Sequence, residues 1–177
     1  MNDPSELNIR DLMEHIVATH HAFCRQEIVR VGILFKEALA SHGNKSDLKR
    51  METLFSTLAK DLQMHLVKEE QTLFPYIARV EEAVQNNVPV SWPLFGTVQN
   101  PIRMMVLEHQ QTGKELDEIR RLSNSYTLPP GDAPEPLIPL YDALRAFEQD
   151  MNQHIYFEDH LLFPRAVALE ERACGNQ

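Results

Sequence analysis

The sequence predicts an all-α protein, an up-down four-helix bundle with an internal pseudo-two-fold repeat. Three observations carry that expectation. Apolar residues recur at helical spacing through four long segments. Proline and glycine gather between those segments, and no stretch alternates as a strand would. One motif is also written twice, in register with other repeated residues.

The first helix is expected from about Asn8 to Ser41, with Val17, Cys24, Ile28, Val31 and Phe35 on one face. His42, Gly43 and Asn44 then read as a stop and turn. A second helix is expected from Ser46 to Val84, with Leu54, Leu58, Leu62 and Leu73 facing inward. The stretch from Asn86 to Asn100 holds prolines, Gly96 and the single Trp92, and reads as a long connection. Pro101 suits the first turn of a third helix, because the N–H it lacks has no partner there anyway. That helix carries Met105, Leu116 and Ile119 to about Ser125. Thr127 to Pro136 contains four prolines and a glycine and is expected to be a loop. A fourth helix runs from Leu137 to about Glu171 through Leu140, Leu144, Phe147 and Met151. Pro75 and Pro164 fall inside helical patterns. Each either kinks its helix just past the nearby motif or marks an end and a restart.

The repeated motif is His-x3-Glu-x3-Leu-Phe-Pro. It occurs at His65, Glu69, Leu73, Phe74 and Pro75, and again 89 residues later at His154, Glu158, Leu162, Phe163 and Pro164. Upstream, His21 precedes His65 by 44 residues and His109 precedes His154 by 45. Each half therefore supplies one single His and one His-x3-Glu pair, which points to a pseudo-two-fold arrangement. The expected unit is a single domain over residues 1–177, with halves at about 8–88 and 99–172.

This spacing bears on chemistry. Residues four apart share a helix face, so each His-x3-Glu pair can offer an imidazole and a carboxylate to one point. His21, His65, Glu69, His109, His154 and Glu158 all continue the apolar stripes of their helices. Two carboxylates in a core are costly unless cations pair with them. Imidazole and carboxylate without thiolate suit iron or manganese better than structural zinc. Two Glu shared by two ions, with two His per ion, leave positions free for an outside ligand. The order differs from the Glu-x2-His of ferritin-like bundles.

Other residues are weighed beside these six. Asp61, one turn before His65, and Glu108, beside His109, are candidate acceptors that orient a ligand imidazole, or line a polar path to the metal site, or else are surface carboxylates. His20 adjoins His21, but the stripe favours His21. His42 lies about 31 Å along a continuous helix from His21 and reads as a helix-end residue. His15 and His160 read as solvated. Gly113, four after His109, either leaves room for an exogenous ligand or permits close helix packing. Cys24 reads as a small buried hydrophobe.

The totals narrow the class further. There are 26 acidic and 17 basic residues, for a net charge of −9, and no basic stripe. Nucleic acid and anionic membrane are therefore not expected partners. No apolar run approaches the roughly 20 residues needed to span a bilayer. Two cysteines, Cys24 and Cys174, make no disulfide framework, and no signal segment is visible, so the expected location is cytoplasmic.

Three segments, HLVKEEQTLFPYI (65–77), PIRMMVLEHQQTGKELDEIR (101–120) and HIYFEDHLLFPRA (154–166), resemble the hemerythrin-like, or HHE cation-binding, domains. Within these the chain is most similar to the di-iron proteins for repair of iron centres, over about Asp11 to Ala168. The resemblance implies two non-haem irons, a candidate oxo bridge, and ligands at His21, His65, Glu69, His109, His154 and Glu158. It implies O2, NO or peroxide as ligands of the centre, and damaged iron–sulfur proteins as clients under nitrosative or oxidative stress. A hemerythrin-type O2 or NO carrier or sensor is the alternative. The repair proteins often carry a short N-terminal domain with paired cysteines. No Cys precedes Cys24 here, so the expectation is a member lacking that domain.

Overall fold

The computed structural model describes residues 4–42, 46–128 and 136–175. Helix α1 (Ile9–Ile16) starts at Asn8, whose side-chain oxygen accepts from the Asp11 N–H at 2.8 Å, a direct N-cap. It passes through a π turn, Val17–His21, into α2 (Ala22–His42). Helix α3 (Ser46–Lys68) likewise passes through a π turn, Glu69–Leu73, into α4 (Phe74–Asn86). That rod ends at Asn87, which takes the left-handed conformation at φ 53°. Helix α5 (Gln99–Leu122) is uninterrupted. Helix α6 (Leu137–Tyr156) passes through a third π turn, Phe157–Leu162, into α7 (Phe163–Gly175).

These are the four expected rods, and among the described residues there is no strand. The third rod stops at Leu122, just short of the expected Ser125. Asn124, Ser125 and Tyr126 instead adopt positive φ, which turns the chain out of the helix. Most of the expected 127–136 loop lies outside the described residues, as do Gly43 and Asn44 of the first turn. The backbone of His42 closes α2, while its side chain lies outside the description.

Pro75 and Pro164 are accommodated by the π turns. A proline in a regular helix loses its N–H and presses its ring on the carbonyl four residues back. Here the preceding turn is widened. The Phe74 N–H donates to the Glu69 carbonyl and the Phe163 N–H to the Glu158 carbonyl, five residues back in each case. The rod continues as α-helix beyond each proline.

α2 packs along α6 and α3 along α5, while α4 and α7 meet at one end of the bundle. The interior is divided in two. One apolar cluster joins Cys24, Phe35, Phe55, Leu62, Leu116, Phe147 and Met151. The other joins Leu12, Ile16, Leu73, Phe74, Met105, Leu162 and Phe163. Between them lies a polar layer built from the repeated motif. No helix among the described residues is long and apolar enough to cross a membrane.

Phe147 is fully buried and meets Phe55 edge-on at 5.3 Å. Phe147→Ala is expected to cost about 3–5 kcal/mol, by lost burial and the cavity left behind. Chemical denaturation of the metal-free protein measures this, and a loss below about 1 kcal/mol would contradict this account of the core.

Candidate metal centre

The six sequence-predicted residues converge. His21, Glu69, His154 and Glu158 form one group whose ligand atoms lie within 4.8 Å of one another. His65, Glu69, His109 and Glu158 form a second. Both carboxylates belong to both groups. Each group takes the single His of one half and the paired His of the other.

The π turns position these side chains. Glu69 opens the second turn, Glu158 is the second residue of the third, and His20 and His21 close the first. Such turns concentrate at functional sites, since they shift the helix face by part of a turn. His20 is 2% exposed and His21 0%, so both rings at the end of the first π turn face the interior.

The two halves are built alike. The His21 and His154 rings are 4.8 Å apart, as are those of His65 and His109. Phe74 stacks on His21 at 5.9 Å, and its repeat equivalent Phe163 stacks on His109 at 6.0 Å. His21 Nδ1 meets Glu70 Oε1 at 2.7 Å, and His109 Nδ1 meets Asp159 Oδ1 at 2.8 Å.

The unmet hydrogen bonding of this layer is specific. Glu69 and Glu158 are completely buried, yet both Glu69 oxygens and Glu158 Oε2 lack a hydrogen-bond partner. His65 Nδ1 and His109 Nδ1 each face a carboxylate, Glu108 and Asp159, at 2.8 Å. A neutral ring with its proton on Nδ1 carries its lone pair on Nε2. The two Nε2 atoms nevertheless lie 3.1 Å apart, as do those of His21 and His154. Facing lone pairs at that distance repel unless a cation stands between them. A layer of this kind fits metal ions, and both groups are compatible with holding them.

Protons play that part in the metal-free chain. Burial pushes His109 down, but the bonds to Asp159 and Glu158 outweigh it and raise the ring to about 10. His21 and His65 are raised in the same way, against burial, chiefly by Glu158 and Glu69 respectively. Burial pushes Glu158 up, but the surrounding histidines hold it well below the ordinary carboxylate range.

The structure also sorts the neighbours. Glu108 does contact the His65 ring, and Lys68 binds its other oxygen. Asp61 does not: it is exposed and lines a cleft of about 270 Å³ beside His65, Lys68 and Glu108. Glu70 and Asp159 were missed, although each directly follows a motif Glu, and that repeated acidic doublet was the available signal. His20 is buried against Asp150 at 2.8 Å and lies outside both groups. His15, expected to be solvated, is half-buried against His20 and Phe157, whereas His160 is exposed. Cys24 is buried with its sulfur 3.3 Å from that of Met151. A Cβ at Gly113 would meet nothing within 4 Å, so close helix packing does not require the glycine.

Comparisons with known proteins agree with this geometry. A family model described as the hemerythrin HHE cation binding domain matches residues 12–166. A probable iron-sulfur cluster repair protein of Haemophilus influenzae is 28% identical over 170 residues, covering 93% of this chain and 68% of its own length. The iron-sulfur cluster repair protein YtfE of Yersinia pseudotuberculosis is 29% identical over 160 residues, covering 90% of this chain and 66% of its own. YtfE of Yersinia pestis matches to the same extent. The chain thus spans about two thirds of the length of these relatives.

The raised histidines set a pH dependence. His109 titrates near 6.5 when unfolded and near 10 when folded. Its protonated form therefore stabilises the metal-free fold fully below pH 6.5, and that contribution is lost as pH rises through about 10. Metal must displace the same protons, so metal affinity should climb over this window. Thermal melts and metal titrations of the metal-free protein from pH 6.5 to 10 check both signs. Stability that rises with pH, or affinity that falls, would contradict the arrangement.

Proposed function

The chain belongs to the hemerythrin HHE cation-binding family, and from that membership we propose that it is a non-haem di-iron protein supporting repair of iron–sulfur clusters under nitrosative or oxidative stress. The observation that carries this reading is the pair of buried carboxylates, Glu69 and Glu158, shared by two His pairs and short of hydrogen-bond partners. One iron would be held by His21 and His154, the other by His65 and His109, with both Glu bridging. Residues 1–177 form one domain on this reading, with halves at about 8–88 and 99–172.

When bound, iron supplies Lewis acidity and one-electron redox capacity, with positions left for an oxo bridge, O2, NO or peroxide. The chain's own residues do the rest. Glu70, Glu108 and Asp159 fix the tautomer and orientation of His21, His65 and His109. Phe74 and Phe163 close over His21 and His109 from the apolar side. The names of the relatives support damaged iron–sulfur proteins as the clients.

The test uses a 4Fe–4S enzyme inactivated by nitric oxide. The iron-loaded chain is expected to restore its activity. Glu69→Leu and Glu158→Leu should abolish restoration, scored on protein shown by circular dichroism to remain helical, because removing one partner from a buried charged cluster costs about 3–5 kcal/mol. Equal restoration by free iron at the same concentration would contradict the reading. A reversible, slowly autoxidising oxy-complex would point to a carrier instead.

A further inference from the structure

The repeat assigns every outer contact of the centre a counterpart, and one counterpart is wrong. His21 rests on Glu70, and in the other half His109 rests on Asp159. His65 rests on Glu108, the residue before His109. The matching acceptor for His154 would be the residue before His21. That residue is His20, not a carboxylate. His154 Nδ1 accordingly has no protein acceptor, although it is completely buried.

His20 does not substitute for the missing charge. Its ring lies parallel to that of His154, 3° between planes and 5.7 Å between centroids. Its Nδ1 is committed to Asp150 at 2.8 Å, and its Nε2 has no partner. Asp150 stands one turn before His154, where the first half places the exposed Asp61. The carboxylate on this side thus serves His20 and not the ligand ring. Phe157 closes over His20 edge-on at 5.4 Å, and the arrangement is fixed in the interior.

A carboxylate on Nδ1–H makes an imidazole a stronger donor, and losing such a partner typically costs about 10–100-fold in metal affinity. The His65–His109 group has two rings backed this way, by Glu108 and Asp159. The His21–His154 group has one, backed by Glu70, which Arg25 also binds through two contacts of 2.9 and 3.0 Å. We propose that the two metal positions are unequal: the ion between His21 and His154 is the weakly held one, and His20, which stands where the repeat calls for a carboxylate, is the positioning residue that makes it so. This rests on the di-iron reading and deepens it. It assigns retention to one half of the centre and release to the other, as a protein that hands on one ion and keeps its fold would need.

The test loads the chain anaerobically with two equivalents of ferrous iron and follows its capture by ferrozine. The wild-type chain should lose iron in two phases of equal amplitude. His20→Glu, paired with Asp150→Asn so that two carboxylates do not face each other, should slow the fast phase about 10-fold or more. A merely structural role for His20 would not give tighter binding. Glu108→Gln should leave the fast phase alone and accelerate the slow one by a similar factor, and it reports independently should the double variant not fold. A single phase for two irons in the wild-type chain, or rates unmoved in both folded variants, overturns the inequality and leaves the di-iron reading standing. Fewer than two irons bound per wild-type chain overturns both.

Discussion

Two fully buried carboxylates held in a ring of four imidazoles constrain the rest of this structure. Glu69 and Glu158 lie between two apolar clusters, out of reach of water and short of hydrogen bonds. An unpaired charge in such a place costs several kcal/mol. The fold offsets this by surrounding each carboxylate with histidines and three of the four histidines with a further carboxylate. His21, His65 and His109 all make that outer contact. The layer is consistent only when positive charge sits inside it, as protons in the metal-free chain or as the metal ions proposed here.

The backbone follows from the same demand. Three of the four rods widen into a π turn where they meet the polar layer, and the uninterrupted rod, α5, contributes His109 and Glu108. The widened turns bring carboxylates and imidazoles to the axis while the apolar stripes above and below stay in register. They also relieve Pro75 and Pro164. Lying outside the polar layer, Glu170 ties the two halves together, accepting from Tyr76 Oη at 2.5 Å and from the Val98 N–H at 2.9 Å. This fixes the long connection to the start of α5.

The four rods and the six converging residues were legible in the sequence, because a duplicated His-x3-Glu spacing and regular apolar stripes survive without knowledge of tertiary contacts. What lay beyond it has a physical reason in each case. His20 lies outside both groups, in line with the stripe that favours His21, but its burial against Asp150 and Phe157 is a contact between rods that spacing along one helix does not show. Asp61 was placed one turn from His65 correctly, but nothing in one helix tells whether its carboxylate turns inward. The structure leaves it exposed and gives the contact to Glu108 on a neighbouring rod. Asp150, at the equivalent position, does turn inward because His20 is there to receive it. Contacts between rods, unlike spacing along one, are decided by packing.

Metal analysis combined with Mössbauer spectroscopy of the purified chain tests the central claim most directly. Two irons per chain are expected, antiferromagnetically coupled through shared bridging ligands. One zinc per chain, or two uncoupled irons, would contradict it.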